Sequence, residues 1–493
     1  MRSRVVRGAG AAAIAIFAWV GAVSPPVAGP AGAPPSAAGP AGRYIVRAVP
    51  GALPTVLRDL KRRGLPAGPP LLTIDAVTVS VPAGLAGQLR ADPRIASVTP
   101  DAAVSLLSKK DDTAYNPKDD DSSLYNLEEM VGVRKQWKSS TGAGVDVALV
   151  DSGVTPVAGL SEPGKLVQGP DLTPEAQSAS TAHLDGYGHG THLAGIIAGH
   201  DSGVDPVADR NDPGPFLGVA PGARIISVKV ADEQGSSDVS QVIAGIDWVV
   251  QHAHDPGLDI RVLNLSFGTD SAQSYTLDPL AYAVEVAWQR GIVVVTSAGN
   301  SGTEDGRLTD PAIDPFVIAV GADDLNKTKG VNNDTIPDFS SRGNALRSPD
   351  LVAPGVHVQS LRVPGSTVDT LYASTGAIDA RFFRGSGTSQ AAAFVSGCAA
   401  VLLGQSPDLT PDQVKAALTR AARALPAESA QAQGNGLVNL AGVRVPADAA
   451  LQTWPPSTGT GSLEAARGDT SGPTGDLDGH RWGSSAWAGD AWN

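Results

Sequence analysis

The sequence predicts an α/β fold in which a mostly parallel sheet is flanked by helices. Apolar strand-like runs such as VDVALV, IISVKV, RVLNLSF and IVVVTSAG alternate along the chain with amphipathic stretches such as VSQVIAGIDWVVQHA and LAYAVEVAWQR. This alternation is typical of β–α units whose strands lie side by side in parallel. Of the 493 residues, 42% are hydrophobic and 18% are charged, a composition that provides for a large core.

The first element is a predicted secretory signal peptide, which we assign to residues 1–28. Arg2, Arg4 and Arg7 precede an apolar stretch from Ala9 to Val23, and a charged region followed by a short apolar one marks such peptides. An uncleaved membrane anchor is the alternative, although the apolar run is shorter than the roughly 20 residues that a span requires. We therefore expect export from the cell.

A small α+β unit is predicted over residues 43–107. Residues 29–42 before it are mostly Pro, Ala and Gly, a composition that indicates a linker. The unit then reads as strand, helix, strand, helix and strand over Tyr44–Val46, Leu53–Leu60, Val77–Val81, Leu85–Leu89 and Ile95–Val98. This βαββαβ-like pattern predicts a ferredoxin-like fold.

Three short segments carry the candidate chemistry, in the order GVDVALVDSGV, GYGHGTHLAG and GSGTSQAA. They supply Asp151, His189 and Ser389, the residue types of a nucleophilic triad. The serine segment alone would also suit the G-x-S-x-[AG] elbow of α/β-hydrolases, where the chain order is Ser, Asp, His. Only His480 among the eight histidines follows Ser389, so the order here is Asp, His, Ser.

With this order the chain resembles the subtilase family of serine endopeptidases over roughly residues 43–442. Five more blocks match that family in sequence, namely GVAPGARIISVKV, LNLSFG, VVVTSAGNSG, DFSSRG and PDLVAPG. The resemblance implies a subtilisin-like domain at residues 124–445. It also implies a secreted endopeptidase that hydrolyses extended or unfolded polypeptides through the triad and an acyl-enzyme.

The resemblance assigns each reacting residue a role. His189 would act as general base and then general acid towards Ser389, and Asp151 would fix the imidazole tautomer. Ser389 opens an Ala-rich stretch that predicts a helix, whose N-terminal N–H groups favour developing negative charge. Asn300 in AGNSG resembles the side-chain donor to the oxyanion. His192, one turn after His189, is predicted to be structural.

The same matching predicts a substrate cleft with two sides and a primary pocket. One side would be Gly235, Ser236 and Ser237, the other Ser266, Phe267 and Gly268, and the pocket walls Ser297, Ala298 and Gly299. Pairing with an extended peptide backbone tolerates many sequences. The small, uncharged walls predict a preference for large apolar side chains before the scissile bond, and the pocket floor is not assigned.

The position of the 43–107 unit resembles that of the subtilase propeptide, which assists folding and inhibits its own protease. A plain N-terminal structural domain is the alternative. Residues 108–123, a segment containing KKDDTAYNPKDDDSS, are polar and turn-rich, which indicates an exposed processing loop. We expect a zymogen that cleaves itself in this region.

The chain departs from the family directly after the nucleophile. Where the family usually has Met and then a Pro-His pair, this chain has Gln390, and Ala393 and Phe394. A thioether beside the nucleophile is therefore absent, which predicts resistance to peroxide. A lower activity caused by Gln390 crowding the site is the alternative.

The triad chemistry requires no cofactor, and a structural calcium ion is left open. Subtilases commonly bind calcium, yet no clear run of carboxylates stands in the usual ligand loop. Asp323, Asp324 and the VNNDTIPD insertion at residues 331–338 are the candidates. Solvated loop carboxylates are the alternative, so no metal ligand set is assigned.

Residues 446–493 form a predicted low-complexity tail with Trp482, Trp487 and Trp492 spaced by five. Binding to cell-wall glycan through these aromatic rings is one interpretation, and disorder or docking onto the core is the other. Cys398, the single cysteine, excludes an intrachain disulfide and is predicted to be a small buried hydrophobe. The net charge of −13 argues against nucleic acid or anionic membranes as partners and favours a monomer.

Overall fold

The computed structural model describes residues 41–101, 103–106, 117–118, 120–303, 306–326, 328, 330–444 and 451–466. The predicted signal peptide, nearly all of the linker, most of the processing loop and the three tail tryptophans lie outside these residues. The described residues fall within one compact unit, Gly39–Asn493. No helix among them is long and apolar enough to span a membrane.

The N-terminal subdomain, residues 41–101, is a four-stranded antiparallel sheet with two helices. Its elements are β1 (Ala41–Ala48), α1 (Leu53–Arg62), β2 (Ala67–Leu71), a 3₁₀ helix (Leu72–Ile74), β3 (Ala76–Pro82), α2 (Ala83–Arg90) and β4 (Ile95–Pro100). The succession β-α-β-β-α-β is ferredoxin-like, as predicted.

Strand β2 is the element that the apolar periodicity did not reveal. Its sequence, AGPPL, contains Pro69 and Pro70, which cannot donate to a strand ladder. The strand order β2-β3-β1-β4 places β2 at the sheet edge, where proline is tolerated. Its pairing with β3 also shifts register between Ala67 and Pro70.

The remaining elements form the main subdomain, residues 120–444, together with β5 before it and α12 after it. They begin with β5 (Ala103–Leu106), α3 (Leu124–Met130), α4 (Val133–Gln136), β6 (Asp146–Asp151), β7 (Leu166–Asp171), a 3₁₀ helix (Pro174–Gln177), α5 (His189–Ala198), β8 (Arg224–Lys229), β9 (Ser236–Asp238), α6 (Val239–His252), β10 (Ile260–Leu265), β11 (Phe267–Gly268) and α7 (Pro279–Gln289). They continue with β12 (Val293–Ser297), β13 (Ile318–Asp323), β14 (Leu351–Pro354), β15 (Val358–Leu361), α8 (Thr367–Gly376), β16 (Phe382–Gly385), α9 (Thr388–Gln405), α10 (Pro411–Ala421), α11 (Ala430–Gln433) and α12 (Leu463–Ala466).

Seven of these strands form a parallel sheet in the order β14-β13-β12-β10-β6-β8-β7. Its central strands are buried along their whole length, as the near-continuous apolar runs of a parallel sheet require. Helix α5 packs against α9, and α6 packs against α7. The predicted mostly parallel sheet with flanking helices is confirmed. Cys398, on α9, is buried as expected.

The N-terminal subdomain docks on α6 and its surroundings. Ile45 and Ile74 pack into the hydrophobic core of the main subdomain and not into the small core of the N-terminal subdomain. The Thr73 N–H donates to Asp247 Oδ1 on α6 at 3.0 Å. Asp101 accepts from the Ser240 N–H at 3.2 Å, in the first turn of α6, a position where negative charge is favourable.

Residues 451–466, the C-terminal strap, lie along α7 and reach β4. Ser457 N–H donates to Glu285 Oε1 at 2.7 Å, and Gly461 N–H donates to the Leu277 carbonyl at 2.7 Å. Leu463 is buried, and α12 contacts β4 of the N-terminal subdomain. This part of the tail therefore docks onto the core, which was one of the two alternatives.

Candidate active site

Asp151 and His189 form the centre of the site. Asp151 is the last residue of β6, where the sequence predicted a strand end, and His189 is the first residue of α5. His189 Nδ1 lies 2.9 Å from Asp151 Oδ1 and 3.1 Å from Oδ2. Both side chains are buried, so this contact fixes the orientation of the imidazole away from bulk water.

Behind this pair lies a second carboxylate that the sequence motifs did not reveal. Asp185 Oδ1 accepts from the Gly188 N–H at 2.6 Å, and Asp185 Oδ2 accepts from the Thr191 N–H at 2.7 Å. The Ser152 hydroxyl, 2.8 Å from Asp185, accepts from the Gly190 N–H at 3.0 Å. Burial raises the pKa of Asp185. These bonds hold the first turn of α5, and with it His189, against β6.

A buried lysine supports the same strand ends. Lys229 ends β8, opposite Asp151 in the parallel ladder. Its Nζ donates to the Ser152 carbonyl at 2.6 Å and the Ala231 carbonyl at 3.0 Å, and pairs with Glu175 Oε2 at 3.0 Å. The ammonium is thereby satisfied, and its bond to Ser152 fixes the backbone next to Asp151.

Ser389 is the second residue of α9, as the predicted helix start requires. Its hydroxyl donates to the Ser266 carbonyl at 3.2 Å. A Cβ added at Gly385 would lie 2.8 Å from Gln390 Nε2 and 3.0 Å from His192 Cε1. Since these two residues belong to the first turns of α9 and α5, the structure brings the helix starts that carry Ser389 and His189 together.

Asn300 is held by its carbonyl end. Asn300 Oδ1 accepts from the Thr388 hydroxyl at 2.8 Å and from the Thr388 N–H at 3.0 Å. The same hydroxyl oxygen accepts from the Gly299 N–H at 3.2 Å. With the amide oxygen occupied in this way, the NH₂ group is the end of the Asn300 side chain that can donate to a substrate. Thr388 was not among the predicted site residues.

The two predicted sides of the cleft are strands of one small sheet. Gly235 precedes β9, which contains Ser236 and Ser237; Ser266 precedes β11, which is Phe267–Gly268. Strand β5 lies between them in the order β11-β5-β9, antiparallel to both. The structure thus holds a segment of the same chain in extended conformation across the predicted cleft.

Thr309, which the sequence did not single out, lies next to the predicted primary pocket. Ser297 ends β12, and Ala298 and Gly299 follow it. A Cβ added at Gly268 would lie 2.7 Å from Thr309 Cβ, and one at Gly299 would lie 2.8 Å from Thr309 Cγ2. Thr309 therefore lies against both Gly268 and Gly299, and its N–H donates to the Ala298 carbonyl at 3.1 Å, which makes it a candidate for the pocket floor.

Asp310, the residue after Thr309, is buried. Asp310 exchanges backbone hydrogen bonds of 2.9 Å with Thr269. Burial, and then the charge of Asp278, raise the pKa of Asp310 well above its usual value. The raised pKa favours the protonated form of Asp310, and that form would add no charge beside the predicted pocket.

His192 and Gln390 flank the reacting residues without replacing them. His192 Nε2 lies 3.2 Å from the Phe383 carbonyl. Burial, and then the proximity of His189, lower the pKa of His192 to about 3, so the ring is neutral at physiological pH. Gln390 is buried in the first turn of α9. The neighbouring Ala393 and Phe394 lie in the core.

The candidate metal ligands form a pair rather than a cluster. Asp323 and Asp334 are buried, and burial followed by the charge of Asp334 raises the pKa of Asp323. Burial also raises the pKa of Asp334 to about 6. Asp324 N–H and carbonyl pair with Thr335 at 2.9 and 3.0 Å. Within the described ranges, no three or more His, Cys, Asp or Glu side chains are grouped as a metal would need.

Comparison with known proteins matches these features to one family. The model of the subtilase family, Peptidase_S8, matches residues 142–436. Serine protease AprX of Bacillus subtilis (strain 168) is 37% identical over 355 residues, which cover 70% of this chain and 77% of that protein. Subtilisin Savinase of Lederbergia lenta is 35% identical over 299 residues, which cover 61% of this chain and 90% of the relative.

A solved structure shares the fold. Fervidolysin from Fervidobacterium pennivorans, described as a keratinolytic enzyme related to subtilisin, aligns with a TM-score of 0.63 and 25% sequence identity. The alignment covers 83% of this chain and 62% of fervidolysin. The chain therefore spans less than two thirds of the length of that neighbour.

Proposed function

The chain belongs to the subtilase family of serine peptidases, and from this premise we propose that it is a secreted endopeptidase made as a self-processing zymogen. Its nucleophile is Ser389, its general base is His189, and its imidazole-orienting acid is Asp151. Asn300 is the side-chain donor of the oxyanion hole. Its substrates are extended or unfolded polypeptides.

One observation carries this proposal above the others. A segment of peptide backbone, β5, is paired on both edges by β9 and β11, and the Ser389 hydroxyl bonds the Ser266 carbonyl at the end of the same cleft. Recognition through backbone pairing accepts many sequences. A nucleophile positioned at the end of such a cleft supports cleavage of polypeptides rather than of small esters.

The reaction proceeds in two halves. In the first, His189 removes the proton from the Ser389 hydroxyl as Oγ bonds to the substrate carbonyl carbon, and then delivers that proton to the leaving amine as the C–N bond breaks. In the second, His189 takes a proton from water, whose oxygen attacks the ester, and the proton returns to Ser389 Oγ. Water is consumed and the serine is regenerated.

Two charges develop in this cycle, a positive charge on the His189 imidazole and a negative charge on the substrate oxygen. Buried groups of the site are placed to stabilise each of them. Asp151 stabilises the imidazolium through the 2.9 Å contact to Nδ1. The oxyanion is met by the Asn300 amide and by the N-terminal N–H groups of α9. Thr388 positions Asn300, and Asp185 positions His189, so neither donor nor base must reorganise during attack.

The N-terminal subdomain is the proposed inhibitor. It docks on α6 and is followed directly by β5, which lies in the cleft that substrates would use. A substrate strand cannot pair with β9 and β11 while β5 does. Export through residues 1–28 and activation by cleavage beyond β5 complete the proposed sequence of events.

The triad chemistry needs no metal, and we propose that activity is independent of calcium. Neutralisation of the buried pair Asp323 and Asp334 by a shared proton, which their raised pKa values favour, would replace a cation there. Incubation with a chelator should leave the rate of casein hydrolysis unchanged. Loss of activity that added calcium restores would contradict this part of the proposal.

The decisive experiment compares the secreted precursor with its Ser389→Ala variant. We expect the wild type to shed its N-terminal part and digest casein, while the variant keeps its full mass and leaves casein intact. Processing of the variant at the wild-type rate would show that another protease activates the chain. Casein hydrolysis by the variant would overturn the assignment of the nucleophile.

A further inference from the structure

The C-terminal strap, residues 451–466, contacts both of the parts that the proposed cleavage would separate. Its helix α12 packs against α7 of the main subdomain and against β4 of the N-terminal subdomain. The strap follows the main subdomain in the chain, whereas β4 precedes β5. A cut beyond β5, as proposed above, would therefore leave the strap on the enzyme and β4 on the fragment.

The main subdomain holds the strap through hydrogen bonds of its own. The Ser462 N–H donates to Gln273 Oε1 at 2.8 Å, and Gln273 Nε2 donates to the Ser462 carbonyl at 3.3 Å. At the end of α12, the Ala466 carbonyl accepts from the Thr269 hydroxyl at 2.5 Å. Because these bonds do not involve the N-terminal subdomain, they would persist after its departure.

The strap also extends the apolar surface on which the N-terminal subdomain docks. Val98 of β4 packs in the small core of that subdomain, and successive strand residues point to opposite faces. The buried Thr99 therefore points to the other face, as does Ile45, its partner on β1. Ile45 and Leu463 of α12 belong to the same hydrophobic core. The strap and the docked face of the subdomain thus share one core.

Tyr282 on α7 is close to both the strap and the N-terminal subdomain. A Cβ added at Gly459 would lie 2.8 Å from Tyr282 Cγ, so the strap backbone runs directly over the ring. Burial lowers the pKa of Arg47 in β1, and the nearby Asp75 and Tyr282 oppose that shift. The strap, α7 and β1 therefore meet at this position.

From these contacts we infer that the strap is a clamp that retains the N-terminal subdomain after the chain has been cut. The inference rests on the proposed function, because it requires the subdomain to inhibit until it dissociates. Affinity differences between related complexes are mostly differences in dissociation rate. The strap therefore sets how long inhibition lasts and has no part in the reaction at Ser389.

Two truncations test this role, since deletion of residues 451–493 removes the strap and deletion of residues 467–493 keeps it. A denaturing gel reports cleavage of the chain, and hydrolysis of a short peptide reports free enzyme. The delay between the two measures retention of the fragment. Deletion of 451–493 should shorten the delay at least about tenfold, because α12 no longer offers its apolar surface to the subdomain. Deletion of 467–493 should not change it.

Equal delays in the two truncated proteins, with equal final activity, would overturn the clamp and leave the proposed function standing. Activity that appears together with cleavage in the wild type would instead refute inhibition by the N-terminal subdomain, and the clamp with it.

A pair of substitutions repeats the test if the protein without the strap does not fold. Gln273→Leu removes both bonds to Ser462 and should shorten the delay roughly threefold. Gln431→Leu is the control, because Gln431 Nε2 donates to the Gly343 carbonyl within the main subdomain. It should leave the delay unchanged. The same delay in both variants would contradict the inference.

Discussion

The N-terminal subdomain and the catalytic site of the main subdomain meet at the same cleft but are held in different ways. Asp151 and Asp185 are buried and accept several short hydrogen bonds each. At the docking surface, Asp101 and Asp238 share one partner, Arg43, whose side chain is 46% exposed. The carboxylates of the active site are satisfied by groups of the main subdomain itself. The carboxylates at the docking surface also accept hydrogen bonds from α6, but the cation that balances their charge, Arg43, faces the solvent.

On the proposed function, this difference separates a permanent arrangement, the active site, from a removable one, the docked N-terminal subdomain. Preorganised donors in a buried site stabilise a transition state without further rearrangement. Ion pairs with an exposed arginine contribute little on their own and are easily lost. The proposed zymogen would need both properties, because its catalytic geometry would have to survive the departure of the N-terminal subdomain.

The largest expected effect comes from the catalytic side. Asn300→Ala should lower kcat by roughly 10²- to 10³-fold, the scale known from the corresponding donor in subtilisin, with little change in KM. The reason is that the Asn300 amide interacts with charge that appears only during attack. Steady-state kinetics on a peptide substrate measures both constants.

The neighbouring Ser301 provides the matched control. Its N–H donates to Ser341 Oγ at 3.2 Å, and Ser301→Ala retains that backbone bond. We expect near wild-type kinetics from this variant. An unchanged kcat together with a raised KM in Asn300→Ala would refute the oxyanion role.

On the docking side, Asp101→Asn should speed release of the N-terminal subdomain by roughly 5- to 30-fold, equivalent to about 1–2 kcal/mol. The substitution removes the negative charge from the first turn of α6 and from its pair with Arg43. Size-exclusion chromatography of processed protein, inactivated covalently to stop digestion, reports how much fragment is retained.

Asp59→Asn is the control for that measurement. Asp59 pairs with Arg62, Arg63 and Arg94, all of the same subdomain. Its loss should leave docking unchanged. If both variants released the fragment equally fast, general weakening of the subdomain, rather than loss of the docking charge, would be the cause.

A smaller effect is expected from pH. Burial, and then the charge of Asp101, raise the pKa of Asp238 to about 7, with Arg43 opposing and Asp232 adding to the shift. The ordinary value for an aspartate is near 4. The docked form therefore binds a proton that the released form gives up, and docking weakens as the pH rises from about 4 to 7 and stays weak above that.

We therefore expect the fragment to be retained better at pH 5 than at pH 8, and Asp238→Asn to reduce the difference. The same chromatography, run at the two pH values, measures it. Tighter retention at pH 8 in the wild type would contradict the sign of this linkage.

The smallest expected effect is that of peroxide on the peptidase activity, which should not change. Dilute peroxide should leave activity intact, because Gln390 carries no thioether next to the nucleophile. Cys398 is buried, and burial raises the pKa of its thiol, which keeps it unreactive. Gln390→Met should introduce sensitivity. Rapid loss of wild-type activity in peroxide would show that another oxidisable side chain controls the site.

The sequence allowed much of the fold to be predicted, since its signals are local. The apolar run before Asp151, and the helix starts at His189 and Ser389, each lie within a few residues of the position they define. Strand β2 was missed because Pro69 and Pro70 argue against a strand unless the edge position is already known.

Supporting residues of the site were missed for a different reason. Asp185 acts through Ser152, 33 residues away, and Thr388 acts through Asn300, 88 residues away. Thr309 becomes a candidate for the pocket floor only when Gly268 and Gly299 are brought beside it. Such roles arise from contacts between distant segments, and no periodicity or short spacing records them.

The central claim is that Ser389 is the nucleophile, and covalent labelling tests it most directly. Active, processed protein would be treated with an organophosphorus fluoridate, digested and mapped by mass spectrometry. We predict a single adduct on Ser389 that appears in step with the loss of peptidase activity and is absent from the His189→Ala variant. An adduct on a different serine that accompanies the loss of activity, or full inactivation without modification of Ser389, would contradict the account.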